Sequence, residues 1–249
     1  MLIPPHCLFR FMLQQHCLEI NPPHQSLSTF SLSITSIMSQ IMTFFTANLP
    51  ASLFNQLFHE SQQAQDAVPF LTLIRTPDQQ EVDEWGTTAP IQDFETGFLG
   101  NTDNELLHYF RRFFQERHPY SQGNMEEHWM AMLDERSATQ STLAMHYGMK
   151  KSSWDELYGD IPDMEIPVNG KVCDDGYIWF KWRVPFKYSF VFFITIEHSD
   201  EEVQQLFCRP EYLGPDWLVD YETCYKIIRR EIRDPLGMVG GAWEEPSDA

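Results

Sequence analysis

The chain has 249 residues, 43% hydrophobic and 14% aromatic, and its 36 acidic against 17 basic side chains give a formal charge of −19. Its aromatic content excludes wholesale disorder, which belongs to aromatic-poor, highly charged chains, and one core suffices, since a domain of about 190 residues buries about 70% of its extended surface. The negative field repels phosphate backbones and anionic membranes and favours cationic partners, so nucleic-acid binding and membrane attachment are set aside.

From Met1 to His59 the only acidic or basic side chains are Glu19 and Arg10, and every other one lies from Glu60 onward. Pro4, Pro5, Pro22, Pro23 and the Ser/Thr-rich stretch from Ser26 to Ser39 oppose packing as one helix. No run reaches the roughly 18 apolar residues of a membrane span. Residues 1–48 therefore read as a low-complexity arm, 49–236 as one folded domain, and 237–249 as a flexible acidic tail. Met42 is one candidate start for the native protein, which would leave residues 1–41 outside it; a targeting segment and a disordered arm are the alternatives. A single arginine is few for a transit peptide.

Leu53, Phe54, Leu57 and Phe58 lie at helical spacing and predict a helix over 51–65. Phe70 to Ile74 reads as a short buried strand, and the acidic, Gly- and Pro-bearing stretch to Gly100 as loop. Thr102 and Glu105 form a capping box ahead of the stripe Leu106, Leu107, Phe110, Phe113 and Phe114, a helix that should end near His118, before Pro119. Trp129–Leu133 and Thr142–Tyr147 predict two antiparallel strands joined through a polar turn. Ser153 with Glu156 caps a short helix through Tyr158.

Asn169-Gly170 suits a tight hairpin and Asp174-Asp175-Gly176 a second turn. From Tyr177 the chain alternates Ile178, Phe180, Trp182 and Val184 with Tyr177, Trp179, Lys181 and Arg183, the period of a strand with one buried face. Tyr188 to Ile196, apolar on both faces, predicts a central strand, and Ser199 with Glu202 caps a helix through Phe207. A last helix is expected from Pro215 to Arg233 on the stripe Trp217, Leu218, Tyr221, Tyr225, Ile228 and Ile232. Together these predict an α+β fold, a mainly antiparallel sheet of about five strands packed against two or three amphipathic helices.

No motif names a chemistry. The strand Gly176–Trp182 only faintly matches the aromatic signature of RNA-recognition motifs, since Asp175 and Ile178 stand where a basic and a small residue belong. His108, His118 and His128 recur at ten residues, which is no ligand spacing on a helix, so no metal is expected. Gly237 to Gly241 lacks the Lys-Ser/Thr of a phosphate loop, and no cofactor is expected. Cys7, Cys17, Cys173, Cys208 and Cys224 form no CxxC pair, and their odd count suggests an intracellular, reducing setting without disulfides. The adjacent carboxylates of Asp83-Glu84, Asp134-Glu135 and Glu201-Glu202 fit solvated turns and helix starts.

The segment Met132-Leu133-Asp134-Glu135-Arg136-Ser137, followed by Thr142-Leu143-Ala144-Met145, resembles an uncharacterised family of small fungal proteins. The resemblance covers a short part of the chain, implies strand, charged turn and strand, and transfers no activity or site. The leading expectation is a noncatalytic interaction or regulatory domain whose acidic surface meets a basic protein. The alternative is a small hydrolase or transferase with a site assembled from His146, Cys173 and His198. An acidic nucleic-acid mimic, with carboxylates concentrated on one face, is a third.

Overall fold

The computed structural model describes residues 39–64, 67–83, 85–116, 124–161, 164–237 and 239. Its centre is one six-stranded sheet of β1 (Gln40–Phe45), β2 (Leu71–Ile74), β3 (Met125–Leu133), β4 (Thr142–Lys150), β5 (Gly170–Val172) and β6 (Tyr177–Pro185), in the spatial order β2-β1-β3-β4-β6-β5. Helices α1 (Ala51–Ser61), α2 (Asp103–Glu116), α3 (Glu135–Gln140), α4 (Lys151–Tyr158), α5 (Ser189–His198), α6 (Glu201–Leu206) and α7 (Tyr221–Ile228) complete an α+β fold. None of the described helices is long and apolar enough to cross a membrane.

The sheet is mixed, and the connections explain why. β1 is parallel to both β2 and β3, because β1 reaches β2 through α1, and β2 reaches β3 through α2, crossovers that return the chain in its original direction. The remaining pairings, β3 with β4, β4 with β6 and β6 with β5, are antiparallel. The expectation of about five mainly antiparallel strands thus becomes six, two of the five pairings being parallel.

Alternation along each strand splits the core into two layers. Ile41, Phe45, Trp129, Met145 and Trp182 face α1, α4, α5 and α7. Met42, Phe44, Met130, Met132 and Trp179 face α2. The strand expected to bury one face, β6, therefore buries both: Trp182 and Val184 on one side, Trp179 and Arg183 on the other.

β1 lies inside the segment that composition assigned to a low-complexity arm. Its residues are uncharged and all buried, as a central strand covered on both faces requires. Residues 1–38, most of the tail after Gly237, and the expected helix end at His118 lie outside the described residues.

Tyr188–Ile196 forms a helix and not the expected strand. A short run apolar on every side fits a helix buried all round as well as a central strand, and α5 sinks Phe190, Phe192, Phe193 and Ile196 into the core while Val191 and Ile194 pack beside them. The long helix expected over 215–233 is also corrected. Pro215–Trp217 is a 3-10 turn in which Asp216 and Trp217 have positive φ. α7 starts after Asp220, whose carboxylate accepts from the Thr223 amide, and Arg230 turns left-handed soon after it ends.

Asn169-Gly170 does not close the hairpin; it sits in the turn that launches β5, with the Asn169 Nδ2 donating to the Lys181 carbonyl. The β5–β6 hairpin instead closes through Cys173–Gly176, with Gly176 at φ +81. The polar turn between β3 and β4 holds α3, capped by Asp134 and Ser137. Short helices occur where Ser153 and Ser199 suggested them, but neither serine caps: α4 and α6 follow Lys150 and Asp200 without side-chain caps.

Candidate functional site

The densest group of buried charge lies on the α2 face of the sheet. In the register of β4 with β6, His146 stands opposite Lys181 and Ala144 opposite Arg183, so both cations and the imidazole point toward α2. The Arg183 guanidinium grips Asp134, the residue after β3, at 3.0 and 2.5 Å, and its Nη1 also donates to Thr142 Oγ1 at 3.3 Å. Lys181 Nζ lies 2.7 Å from Asp103 in the first turn of α2. That end of α2 is already capped: the Thr102 amide donates to Glu105 at 2.8 Å, and the Glu105 amide returns to Thr102 Oγ1 at 3.4 Å.

His146 is 2% exposed and its Nε2 has no hydrogen-bond partner. Burial drives its pKa down to about 4, with Asp103 pulling the other way and Lys181 and Arg183 adding to the drop. Burial opposes ionisation of Asp103, but His146 and Lys181 together hold its carboxyl below the usual range. Since His146 is neutral at pH 7, Lys181 carries that effect at neutral pH. Asp134 is likewise held low against burial, by Arg183 and by donors from Ser137.

These pairs sit beside the place where the chain reverses its winding. α1 and α2 leave the parallel strands on opposite faces, so the carboxyl ends of β1 and β3 form the crevice where open α/β sheets take their ligands. Here the crevice is closed from within. The Thr96 hydroxyl donates to the Phe45 carbonyl at 2.7 Å, the Gly100 amide donates to the Thr46 carbonyl at 2.8 Å, and the Asp134–Arg183 pair covers the end of β3.

The three residues considered for catalysis are not brought together. His146 lies under α2, and Cys173 is half-buried in the β5–β6 turn against the same layer. His198 ends α5 on the other face, its pKa lowered by burial against the opposing pull of Glu126. Cys208 and Cys224 are buried free thiols whose pKa burial pushes up to about 12, the opposite of an activated nucleophile. Among the described residues no three His, Cys, Asp or Glu side chains converge as metal ligands would. Of the evenly spaced histidines, His108 is exposed and His128 lies beside Tyr177, while His118 is outside the described residues.

Two features were missed from the sequence. On the α1 and α5 face, Trp129 Nε1 donates to Glu197 at 2.6 Å. Glu197 is exposed as a whole, yet its carboxyl folds back against the indole, where burial and Glu126 raise its pKa to about 7. The second is a recess of about 490 Å³ along the outer edge of β2, lined by Arg75, Asp83, Thr87, Gln92, Asp93 and Phe94. No spacing rule marks it, because a long loop builds it.

No protein-family model, curated protein or solved structure matches the chain.

Proposed function

We propose that this is a noncatalytic interaction or regulatory domain that meets a basic protein through its acidic surface. One observation carries the reading: the chain's cations are largely consumed within the fold. Among the described residues, nine Lys and Arg side chains are ion-paired; Arg209–Asp234 is buried on both sides, and Arg183 is buried against a partly exposed Asp134. The surplus of 19 acidic over basic residues has no internal counter-charge, and such a field speeds encounter with cationic surfaces. An intracellular, cytoplasmic setting suits Cys208 and Cys224, which are free.

The test is to immobilise the full chain, pass a cell lysate over it at low and high salt, and identify what stays by mass spectrometry. The reading expects one or a few basic proteins, released by salt. Retention of nothing at low salt by folded protein overturns it.

A further inference from the structure

We propose that the end of α7 is an interaction surface for a second copy of this chain, its cations meeting the acidic segment 76–101 of the neighbouring copy. This goes beyond the reading above and does not depend on it. Lys226, Arg229, Arg230 and Arg233 follow one another closely in sequence, and all four are exposed. Arg229 pairs with its near neighbour Glu231 at 3.2 Å. Among the described residues, Lys226, Arg230 and Arg233 make no ion pair. The carboxylates that could neutralise them locally are taken: Glu222 by Lys187 and Tyr188, Glu231 by Arg229, and Asp234 by the buried Arg209.

A helix dipole favours cations in the last turn, which accounts for Lys226, but Arg233 lies well past Ile228, where α7 ends. Interleaved with these cations in sequence, Ile232 and Leu236 are 39% and 60% exposed. Apolar side chains inside a charged rim are the anatomy of a protein interface.

The complement stands on the same chain. Between Thr76 and Asn101 the sequence has six carboxylates and no Lys, Arg or His. Asp78, Glu81 and Glu95 are exposed and make no ion pair among the described residues, and Trp85 and Leu99 are 67% and 63% exposed. Each surface thus offers one sign of charge together with two apolar anchors, and charge complementarity of this kind selects partner and register. Because the two surfaces differ, the contact is head-to-tail. At long range two copies of charge −19 repel. The Debye length is about 30 Å at 10 mM salt, about 8 Å at 150 mM and about 3 Å at 1 M. Intermediate salt therefore screens the repulsion while pairs in contact persist.

The experiment is sedimentation equilibrium of the full chain at those three salt concentrations. Three variants are compared with it: the patch reversal R230E/R233E, the loop reversal D78K/E81K, and the control E156K/E165K. The control changes net charge as much as the loop reversal does, at exposed acids in the region of Leu157, Ile161 and Val168, where other apolar side chains are exposed. The unmodified chain is expected to exceed the mass of one copy, increasingly so with concentration and most at intermediate salt. The patch and loop reversals should each weaken association about ten-fold or more, and the control less than about two-fold. A mixture of the patch and loop variants should regain it, since the reversed patch of one then faces the reversed loop of the other. A chain that stays monomeric at every salt, association indifferent to either reversal, or a mixture that regains nothing overturns the proposal. None of these results touches the interaction reading, which is decided by what the chain retains from a lysate.

Discussion

Arg183 reaches across β4 to hold Asp134, linking β6 to the end of β3 through two parallel hydrogen bonds. Arg183 is 2% exposed, so its charge is tolerable only while the carboxylate is there. Removing one member of a buried pair leaves the other uncompensated and typically costs about 3–5 kcal/mol. Asp134→Ala also removes the cap of α3. Urea unfolding should show Asp134→Ala less stable by about 3 kcal/mol or more. The surface pair Lys151–Asp155 is the contrast; Asp155→Ala should cost less than about 1 kcal/mol.

His146 and Glu197 impose opposite pH dependences. The folded pKa of His146 falls from 6.5 to about 4, so between those values the unfolded chain binds more protons and stability rises with pH. Glu197 rises from 4.5 to about 7, so between those values the folded chain binds more protons, and its contribution is lost as pH climbs toward 7. The two trends oppose each other over the shared window of about pH 4.5 to 6.5. Glu197→Gln should expose the His146 trend, with stability rising by up to about 1.4 kcal/mol per pH unit. His146→Gln should reverse the sign, leaving stability that declines as pH rises. Unfolding free energies of both variants across that window check the assignment; parallel curves would refute it.

Phe192 tests the burial of α5. It is fully buried, edge-on to Trp182 at 5.3 Å and to Phe207 at 5.1 Å. Phe192→Ala should destabilise by about 3–5 kcal/mol. Ile232 belonged to the expected stripe of the last helix, but it lies beyond α7 and is 39% exposed. Ile232→Ala should change stability by less than about 0.5 kcal/mol.

What was legible in the sequence follows from how local each signal is. The Thr102–Glu105 cap and the stripe behind it are written within one helix, and α2 appears where they place it. The alternation of β6 was equally plain, but whether its Lys181 and Arg183 meet water or Asp103 and Asp134 depends on partners 78 and 49 residues away. Tyr188–Ile196 was ambiguous for a different reason: a segment buried on all sides has no polar face to reveal its period. The recess is made by a loop with no period at all.

β1 shows how composition misleads at a boundary. Gln40–Phe45 shares the charge-poor character of the residues before it, yet it is the strand through which the whole parallel half is paired, with Ile41 opposite Leu71 and Gln40 opposite Met125. A chain begun at Met42 would lose Ile41, which is fully buried, and Gln40, whose side-chain Nε2 donates to the Pro69 carbonyl at 3.1 Å. Burial of an isoleucine side chain alone is worth about 2–3 kcal/mol, and the lost strand hydrogen bonds add to it. Proteins beginning at residues 39 and 42 should therefore differ by at least about 3 kcal/mol in urea unfolding. Equal stability would mean that β1 is effectively complete from Met42, and that the two residues before it contribute nothing to the sheet.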